Sequence, residues 1–465
     1  LFKPIHGANR EHQKIWQFKQ AGLHSGSVVF RHKKEAAVQK ENAGACTLKM
    51  IKVVQIQVFS ESSGRAPLRL HRAFLKNGIG SIMITLRHAT NDDEKIIQKG
   101  RLSSIISRVD RILQDRLMKN NVKELGAFSY PILGSDLSKM DEVKNADIIY
   151  IHWALGGFLN ISGFEKLAKL GKPVLFFMHD MWSITGGCHH SFTCEKYKSH
   201  CFDCPILPKH KVKDLSFKEF DKKLNFYSRY NNIYFISPSK WLFQCEKESA
   251  LTKNKPLFHI PNILEDTFFK PFDKSIAKRN LNIDPSHLVI AFGAVAIDSP
   301  YKGWSYLIKA LKILALEIAF KKVSVLVFGS GYKKEIADEL PFHAIFTGFL
   351  RDEYSPMMIY NAADVFIAPS LADNLPTTIL ESLSCGTPVV GFDVGGIPDM
   401  IKHKENGYLA RYKNAEDIAE GIKFCVGNKI KGYLSHEFDT CKILEQHKSL
   451  FRQVLNVENL NNSNH

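Results

Sequence analysis

The chain has 465 residues, 45% hydrophobic and 24% charged, with 29 Gly and 18 Pro, which excludes disorder, a collagen-like repeat and a small disulfide scaffold. At about 150 residues per domain, two or three domains are expected, and no stretch approaches the ~18 apolar residues that read as a bilayer span. The net charge of +16 is spread along the chain and suits phosphate-bearing small molecules, an anionic membrane surface or nucleic acid. No nucleic-acid motif and no basic-aromatic interleaving accompanies it, so a nucleic-acid partner is not expected. Nine Cys, an odd number, with no secretory signal point to a reducing, cytoplasmic compartment.

Residues 1–49 show no sustained period, and the first Met is Met50. This segment is expected to be an extension, either sequence upstream of a natural start or a weakly structured arm. From Met50 onward, short β-branched runs alternate with helical patterns, as in parallel sheets built from βαβ units. The predicted strands of the first half are Lys52–Val58, Ser81–Thr85, Asp147–His152, Pro173–Phe177 and Ile233–Ile236. Between the second and third of them, Arg101–Lys119 reads as an amphipathic helix. Leu102, Ile105, Ile106, Val109, Ile112, Leu113 and Leu117 form its stripe, with Arg108, Arg111, Arg116 and Lys119 mostly off it. The stripe is expected to face the core, with a basic membrane-surface helix as the alternative.

Cys188, Cys194, Cys201 and Cys204 follow within a polar, loop-like segment that also holds His189, His190 and His200. The C-x2-C spacing at Cys201 and Cys204 lets one loop chelate a tetrahedral ion, and a structural zinc on the four thiols is the expectation. Disulfides and unligated thiols are the alternatives. Such a set leaves no open position for a catalytic metal.

A linker is expected from Phe258 to Phe272, dividing a first domain, 50–262, from a second, 263–430. The second series of strands is Leu288–Phe292, Val323–Phe328, Ala344–Phe346, Asp364–Ala368 and Pro388–Gly391. After the fourth of these, a loop carries Asp373, Pro376 is placed as a first helical residue, and Gly386 closes the helix. That helix N-terminus points to the crevice at the strands' carboxyl ends, where open α/β sheets bind ligands and free N–H groups favour phosphate. Asp373 and Glu381 suit the hydroxyls of sugar and ribose rather than phosphate. Residues 431–465 are expected to form a closing helix, with a return to the first domain as one option, and a tail.

Asp373-x7-Glu381 with the following Ser-Cys-Gly-Thr-Pro-Val-Val resembles the E-x7-E signature of retaining glycosyltransferases of family 4, which have the GT-B fold. Tyr301-Lys302-Gly303, Phe328-Gly329-Ser330-Gly331, Thr347-Gly348-Phe349-Leu350, Ile260-Pro261-Asn262 and Gly395-Gly396-Ile397-Pro398 are similar to the family's segments in the same order. His179-Asp180-Met181-Trp182 with Thr185-Gly186-Gly187-Cys188-His189 resembles the subgroup of colanic-acid-type polysaccharide glycosyltransferases. The resemblance implies an α/β architecture of two doubly wound Rossmann-like domains facing across a cleft. It also implies transfer of a sugar, with retained configuration, from a nucleoside diphosphate sugar to a glycan or lipid-linked acceptor in surface polysaccharide synthesis.

By position, Glu381 would hold ribose hydroxyls, and Asp373 and His179 would flank the transferred sugar. Lys302 would pair with the diphosphate, helped by Thr377 or Thr378 at the helix start, and Gly348 and Phe349 would lie against the base. The chain departs from the family in having Asp373 in place of Glu, and in lacking an Arg before the Lys-Gly. Gly64 and Arg65, in the first domain's glycine turn, are the candidate substitute. No Asp-x-Asp motif stands in a suitable place, so no cofactor is expected for the chemistry. A sugar-nucleotide-binding protein without turnover, or an epimerase of the same fold, are the competing readings. Localisation is expected to be cytoplasmic, with the inner face of the plasma membrane as a peripheral site.

Overall fold

A computed structural model describes residues 50–60, 65–87, 95–208, 211–264, 268–317 and 322–462. The expectations for residues 1–49 and for Gly64 lie outside the described residues. In the first half, β1 (Lys52–Phe59), α1 (Arg65–Lys76), β2 (Gly80–Arg87), β3 (Ile96–Gln98) and α2 (Arg101–Leu117) are followed by α3 (Asp141–Lys144) and β4 (Ile148–Ile151). Then come α4 (Ile161–Ala168), β5 (Val174–Phe177), α5 (Leu215–Arg229), β6 (Ile233–Ser237), α6 (Lys240–Glu248) and β7 (Leu257–His259). All seven strands form one parallel sheet, in the order β3-β2-β1-β4-β5-β6-β7.

The second half runs α7 (Lys274–Asn280), β8 (Leu288–Ala296), α8 (Trp304–Ala315), β9 (Val323–Ser330), α9 (Lys334–Asp338), β10 (His343–Gly348) and α10 (Tyr354–Ala362). It continues with β11 (Val365–Ala368), α11 (Thr377–Ser384), β12 (Val389–Phe392), α12 (Ile397–Met400), β13 (Gly407–Ala410), α13 (Ala415–Gly427) and α14 (Thr440–Asn462). Its six strands are again parallel, ordered β10-β9-β8-β11-β12-β13. The expectation of an α/β architecture with two parallel sheets therefore holds. Central strands such as β4, β5, β11 and β12 are buried along their whole length, because crossover helices cover both faces of each sheet.

Three short strands escape the sequence pattern: β3, β7 and β13. They are edge strands of three or four residues, only partly buried, and so lack the fully buried apolar run of the equally short central strands. One of them, β7, takes up the start of the stretch read as linker. The chain crosses between the lobes just after it, with Ile263 buried beside the first sheet and Leu264 beside the second. It crosses back before α14, whose Ile443, Leu444, Leu450, Phe451 and Val454 pack with Val53, Leu70 and Tyr150 of the first lobe.

The orientation of α2 corrects the sequence reading. Its buried residues are Ser103, Ser107, Asp110 and Gln114, while Leu102 is 72% and Ile105 58% exposed. Polar bonds decide the side. Ser107 Oγ donates to Gly156 O at 2.7 Å, and Asp110 Oδ1 accepts from the N–H groups of Ile132 and Leu133 at 2.9 and 2.8 Å. Gln114 Oε1 accepts from Tyr130 N at 3.1 Å. Gly157, at φ +79°, lets the loop approach so closely that an added Cβ would lie 2.5 Å from Ser107 Cα.

Candidate functional site

The site is built on the carboxyl ends of β8, β9 and β11 in the second lobe, facing α1 of the first. A one-turn 3-10 helix, Pro300–Lys302, ends at Gly303. There the backbone turns left-handed (φ +73°), and any Cβ would sit 1.8 Å from Pro369 O. Glycine is therefore required where the two loops touch. The contact delivers Lys302 Nζ to within 2.6 Å of Asp373 Oδ2, and Ser370 Oγ donates to the same oxygen at 3.2 Å. Burial alone would lower the Lys302 ammonium, but Asp373 and Tyr301 more than offset it and hold the pKa above its ordinary value. On the other flank of the Asp373 loop, Gly395 and Gly396 lie against Asp373 O and Asn374 O with no room for a side chain.

Helix α11 begins at Thr377, with Pro376 as its cap rather than its first helical residue, and after its C-cap Cys385 the chain turns off at Gly386, φ +83°. Its first turn opens on a cleft of about 490 Å³ lined by Arg65, Phe328, Phe349, Thr377, Thr378 and Glu381, among others. The structure thus gathers five of the predicted donor-side residues on one cavity. Lys302 and Gly348 do not line it. Gly348 ends β10 at φ +73°, immediately before Phe349.

Glu381 is buried, and its two oxygens are both engaged. Oε2 accepts from Tyr360 OH at 2.8 Å, and Oε1 accepts from Arg69 Nη2 at 2.8 Å. The same Nη2 reaches Glu353 Oε2 at 2.7 Å, so one guanidinium from α1 ties two carboxylates of the opposite lobe. Burial opposes the charge on Arg69, but Glu381 and Glu353 outweigh it and raise the pKa. Arg65, one turn earlier, donates to Leu350 O at 2.7 Å and to Asp352 O at 3.1 Å. Sequence reasoning missed Arg69. Its only signal was an arginine on the core-facing side of a helix, four residues after Arg65.

On the first-lobe side, His179 belongs to a chain of buried bonds. Gln55 Nε2 donates to Ser81 Oγ (3.0 Å), so Gln55 Oε1 is the atom that meets His152 Nε2 (2.9 Å) and accepts its proton. His152 Nδ1 is then bare and accepts from His179 Nε2 at 3.0 Å. That leaves His179 Nδ1 as the ring's lone-pair nitrogen. Burial, opposed by Asp180, pushes His179 down to about 4. His152 falls well below the ordinary range through burial, with His179 and His447 adding to it.

The first-lobe ring beside Asp373 is His190, also missed. It lies 5.5 Å from the Tyr301 ring, centroid to centroid, and its buried Nδ1 has no hydrogen-bond partner among the described residues. Burial pushes it down to about 4 against the fields of Asp373 and Asp180. Asn374 pins the Asp373 loop to the first lobe, accepting from Ser239 Oγ at 2.5 Å and donating to Met178 O at 3.3 Å.

Cys188, Cys194, Cys201 and Cys204 are free thiols. Among the described residues no group of three or more His, Cys, Asp or Glu side chains is placed to hold a metal ion. Cys188 and Cys204 pack with Phe128, Ile206 and Leu207 in a small apolar cluster. Burial pushes Cys201 up to about 12 and Cys204 up to about 11, and the charges of neighbouring thiols of the four add to it, so the structure brings the four predicted cysteines near one another.

The buried histidines carry a pH prediction. In the unfolded chain His152 and His447 titrate near 6.5, while burial holds His447 down to about 3 and His152 well below 6.5. Between these limits the unfolded state binds more protons, so stability is complete above pH 6.5 and is lost as pH falls. The slope is up to about 1.4 kcal/mol per pH unit for each ring. Glu246, raised from 4.5 to about 8 by burial, runs the other way between those values and offsets one ring. Thermal melts from pH 7 to pH 4.5 should show a falling Tm; a flat profile contradicts the assignment.

Residues 286–428 match the family model described as glycosyl transferases group 1. An uncharacterized glycosyltransferase of Haemophilus influenzae is 25% identical over 163 residues, 32% of this chain and 45% of that protein. A D-inositol 3-phosphate glycosyltransferase of Rhodococcus jostii is 29% identical over 171 residues, 34% of this chain and 37% of that protein. The matched segments thus span less than half of these relatives' length. Among solved structures, sucrose-phosphate synthase from Thermosynechococcus elongatus superposes with TM-score 0.58 at 14% identity, covering 88% of this chain and all of that one. HepE from Anabaena in complex with UDP-glucose gives 0.56 at 16%, covering 86% and 99%. At these identities the structural likeness concerns the fold.

Proposed function

We propose that the chain is a retaining glycosyltransferase that takes a sugar from a nucleoside diphosphate sugar. The observation that carries this reading is a cleft that combines the N-terminus of α11, with Thr377 and Thr378, and the buried Glu381. The Lys302–Asp373 pair lies outside its lining, on the loops that precede the same helix. The family match over the second lobe, and the UDP-glucose bound by HepE, support a nucleotide-sugar donor.

The chemistry follows from charge. As the bond to the anomeric carbon breaks, negative charge grows on the departing diphosphate and positive charge on the ring. Lys302 and the free N–H groups of α11 meet the first. Asp373 holds sugar hydroxyls near the reacting carbon, neutral His190 lies beside it from the other lobe, and His179 is assigned to the transferred sugar. The protein thereby supplies the charge compensation itself, so the transfer is assigned without a catalytic metal. The acceptor is a glycan or lipid-linked sugar of a surface polysaccharide, as in colanic-acid-type enzymes.

Calorimetry across a panel of nucleoside diphosphate sugars tests the reading, with Glu381→Gln in parallel. One base series should bind, and the variant should lose about tenfold in affinity, since a hydrogen bond to a charged acceptor contributes about 1.5 kcal/mol or more. Absence of binding by any donor to the folded protein would overturn it. Release of nucleoside diphosphate only when acceptor is present separates transfer from epimerisation and from binding without turnover.

A further inference from the structure

We infer that α2 docks the protein on an anionic phospholipid bilayer. The helix is inside out for a soluble protein. Ser103, Ser107, Asp110 and Gln114, at i, i+4, i+7 and i+11, are its hydrogen-bonded inner face. Leu102, Ile105, Val109 and Ile112, at i, i+3, i+7 and i+10, form a continuous outer stripe, extended by Leu117 and Val122, all of them exposed. An exposed apolar stripe on a helix held in place by its polar side marks a contact surface.

Charge selects the occupant. Arg101, Arg108, Arg111 and Lys119 are exposed beside the stripe, and Arg116 is exposed within it. Arg87 of β2 lies close enough to Arg111 for the two to repel, which with burial lowers its pKa. Asp115, exposed between Arg111 and Lys119, is the one acid among the exposed charges of α2, so the stripe keeps a net positive border, which anionic headgroups neutralise. The face carries no aromatic side chain, whereas the anchors of protein interfaces are enriched in Tyr, Trp and Phe. Because Ser107 is bonded to Gly156 in the loop after β4, the docked helix sits at the carboxyl edge of the first sheet, the edge that faces the cleft. Access of a lipid-linked acceptor to that edge rests on the glycosyl-transfer reading; the docking does not.

Among the described residues no helix is long and apolar enough to cross a membrane, so the contact is made in the interface plane. Sedimentation with vesicles of phosphatidylcholine, with and without about one-third phosphatidylglycerol, tests it. The full chain should bind the anionic vesicles at least tenfold more tightly than the neutral ones, and less tightly as salt rises. Leu102→Gln/Ile105→Gln/Ile112→Gln should lose at least tenfold, and Arg101→Gln/Arg108→Gln/Arg111→Gln about fivefold per arginine. These side chains are exposed, and unchanged circular dichroism and melting will show that the fold is kept. Failure of the wild type to bind, or equal binding by the apolar triple variant, overturns the proposal. So does concentration-dependent dimerisation that the triple variant abolishes while neither protein binds vesicles. Nucleoside diphosphate sugar binding, measured on the same proteins, separates the two readings. Vesicle binding without donor binding would count against transfer and leave the docking intact.

Discussion

Replacing Arg69 with methionine is expected to cost about 3–5 kcal/mol of unfolding free energy, the range found when one partner of a buried ion pair is removed. The Arg69 side chain is 1% exposed and that of Glu381 is 4%, so the carboxylate cannot regain water when its partner goes. Glu353, 14% exposed, loses the same partner. The bridge joins α1 of the first lobe to the second lobe, so the loss should appear in urea denaturation and also as a weaker association between lobes. Arg69→Met combined with Glu381→Gln should recover much of the deficit, because the most deeply buried lone charge is then gone. Wild-type stability in the single variant would remove the bridge from any role in holding the lobes. Donor affinity should fall with Arg69→Met as well. Arg69 and Tyr360 fix both oxygens of Glu381, so under the proposed function its remaining lone pairs keep a set direction toward ribose hydroxyls only while both partners are present.

The second large effect is expected in catalysis. Lys302→Ala should lower the rate of sugar transfer about 30- to 150-fold, corresponding to about 2–3 kcal/mol of lost transition-state stabilisation. Lys302 is paired with Asp373 at 2.6 Å, so under the proposed function a diphosphate would meet a lysine already positioned and charged. Both side chains are partly exposed, 24% and 16%, and the unpaired Asp373 of the variant can be solvated, which keeps the protein folded. Single-turnover kinetics with unchanged melting would isolate the effect on the chemical step. Kinetics indistinguishable from wild type would refute the role.

Much of this protein could be read along the chain. Ten of the thirteen strands show as apolar runs rich in β-branched residues. Residues Asp373 through Gly386 announce a loop, a helix and a stop through Asp, Pro and Gly, and Lys302-Gly303 marks a turn that only glycine permits. What could be read in that way is local: which residues share a strand, a cap or a helix face. Three facts were decided elsewhere. The period of α2 sorts its residues into an apolar and a polar stripe, but which stripe is buried depends on the loops at Gly156–Gly157 and Ile132–Leu133, whose backbone groups need polar partners. The place of Arg69 in the site depends on two carboxylates 284 and 312 residues away, and no spacing in α1 encodes them. His190 gains its meaning only where the lobes meet and set it beside Asp373 and Tyr301. The sequence by itself determined the periodicities and the glycine-dependent turns, because these follow from backbone sterics over a few residues. The tertiary structure decided which faces are covered and which charges meet, because burial and ion pairing depend on groups that only folding brings together.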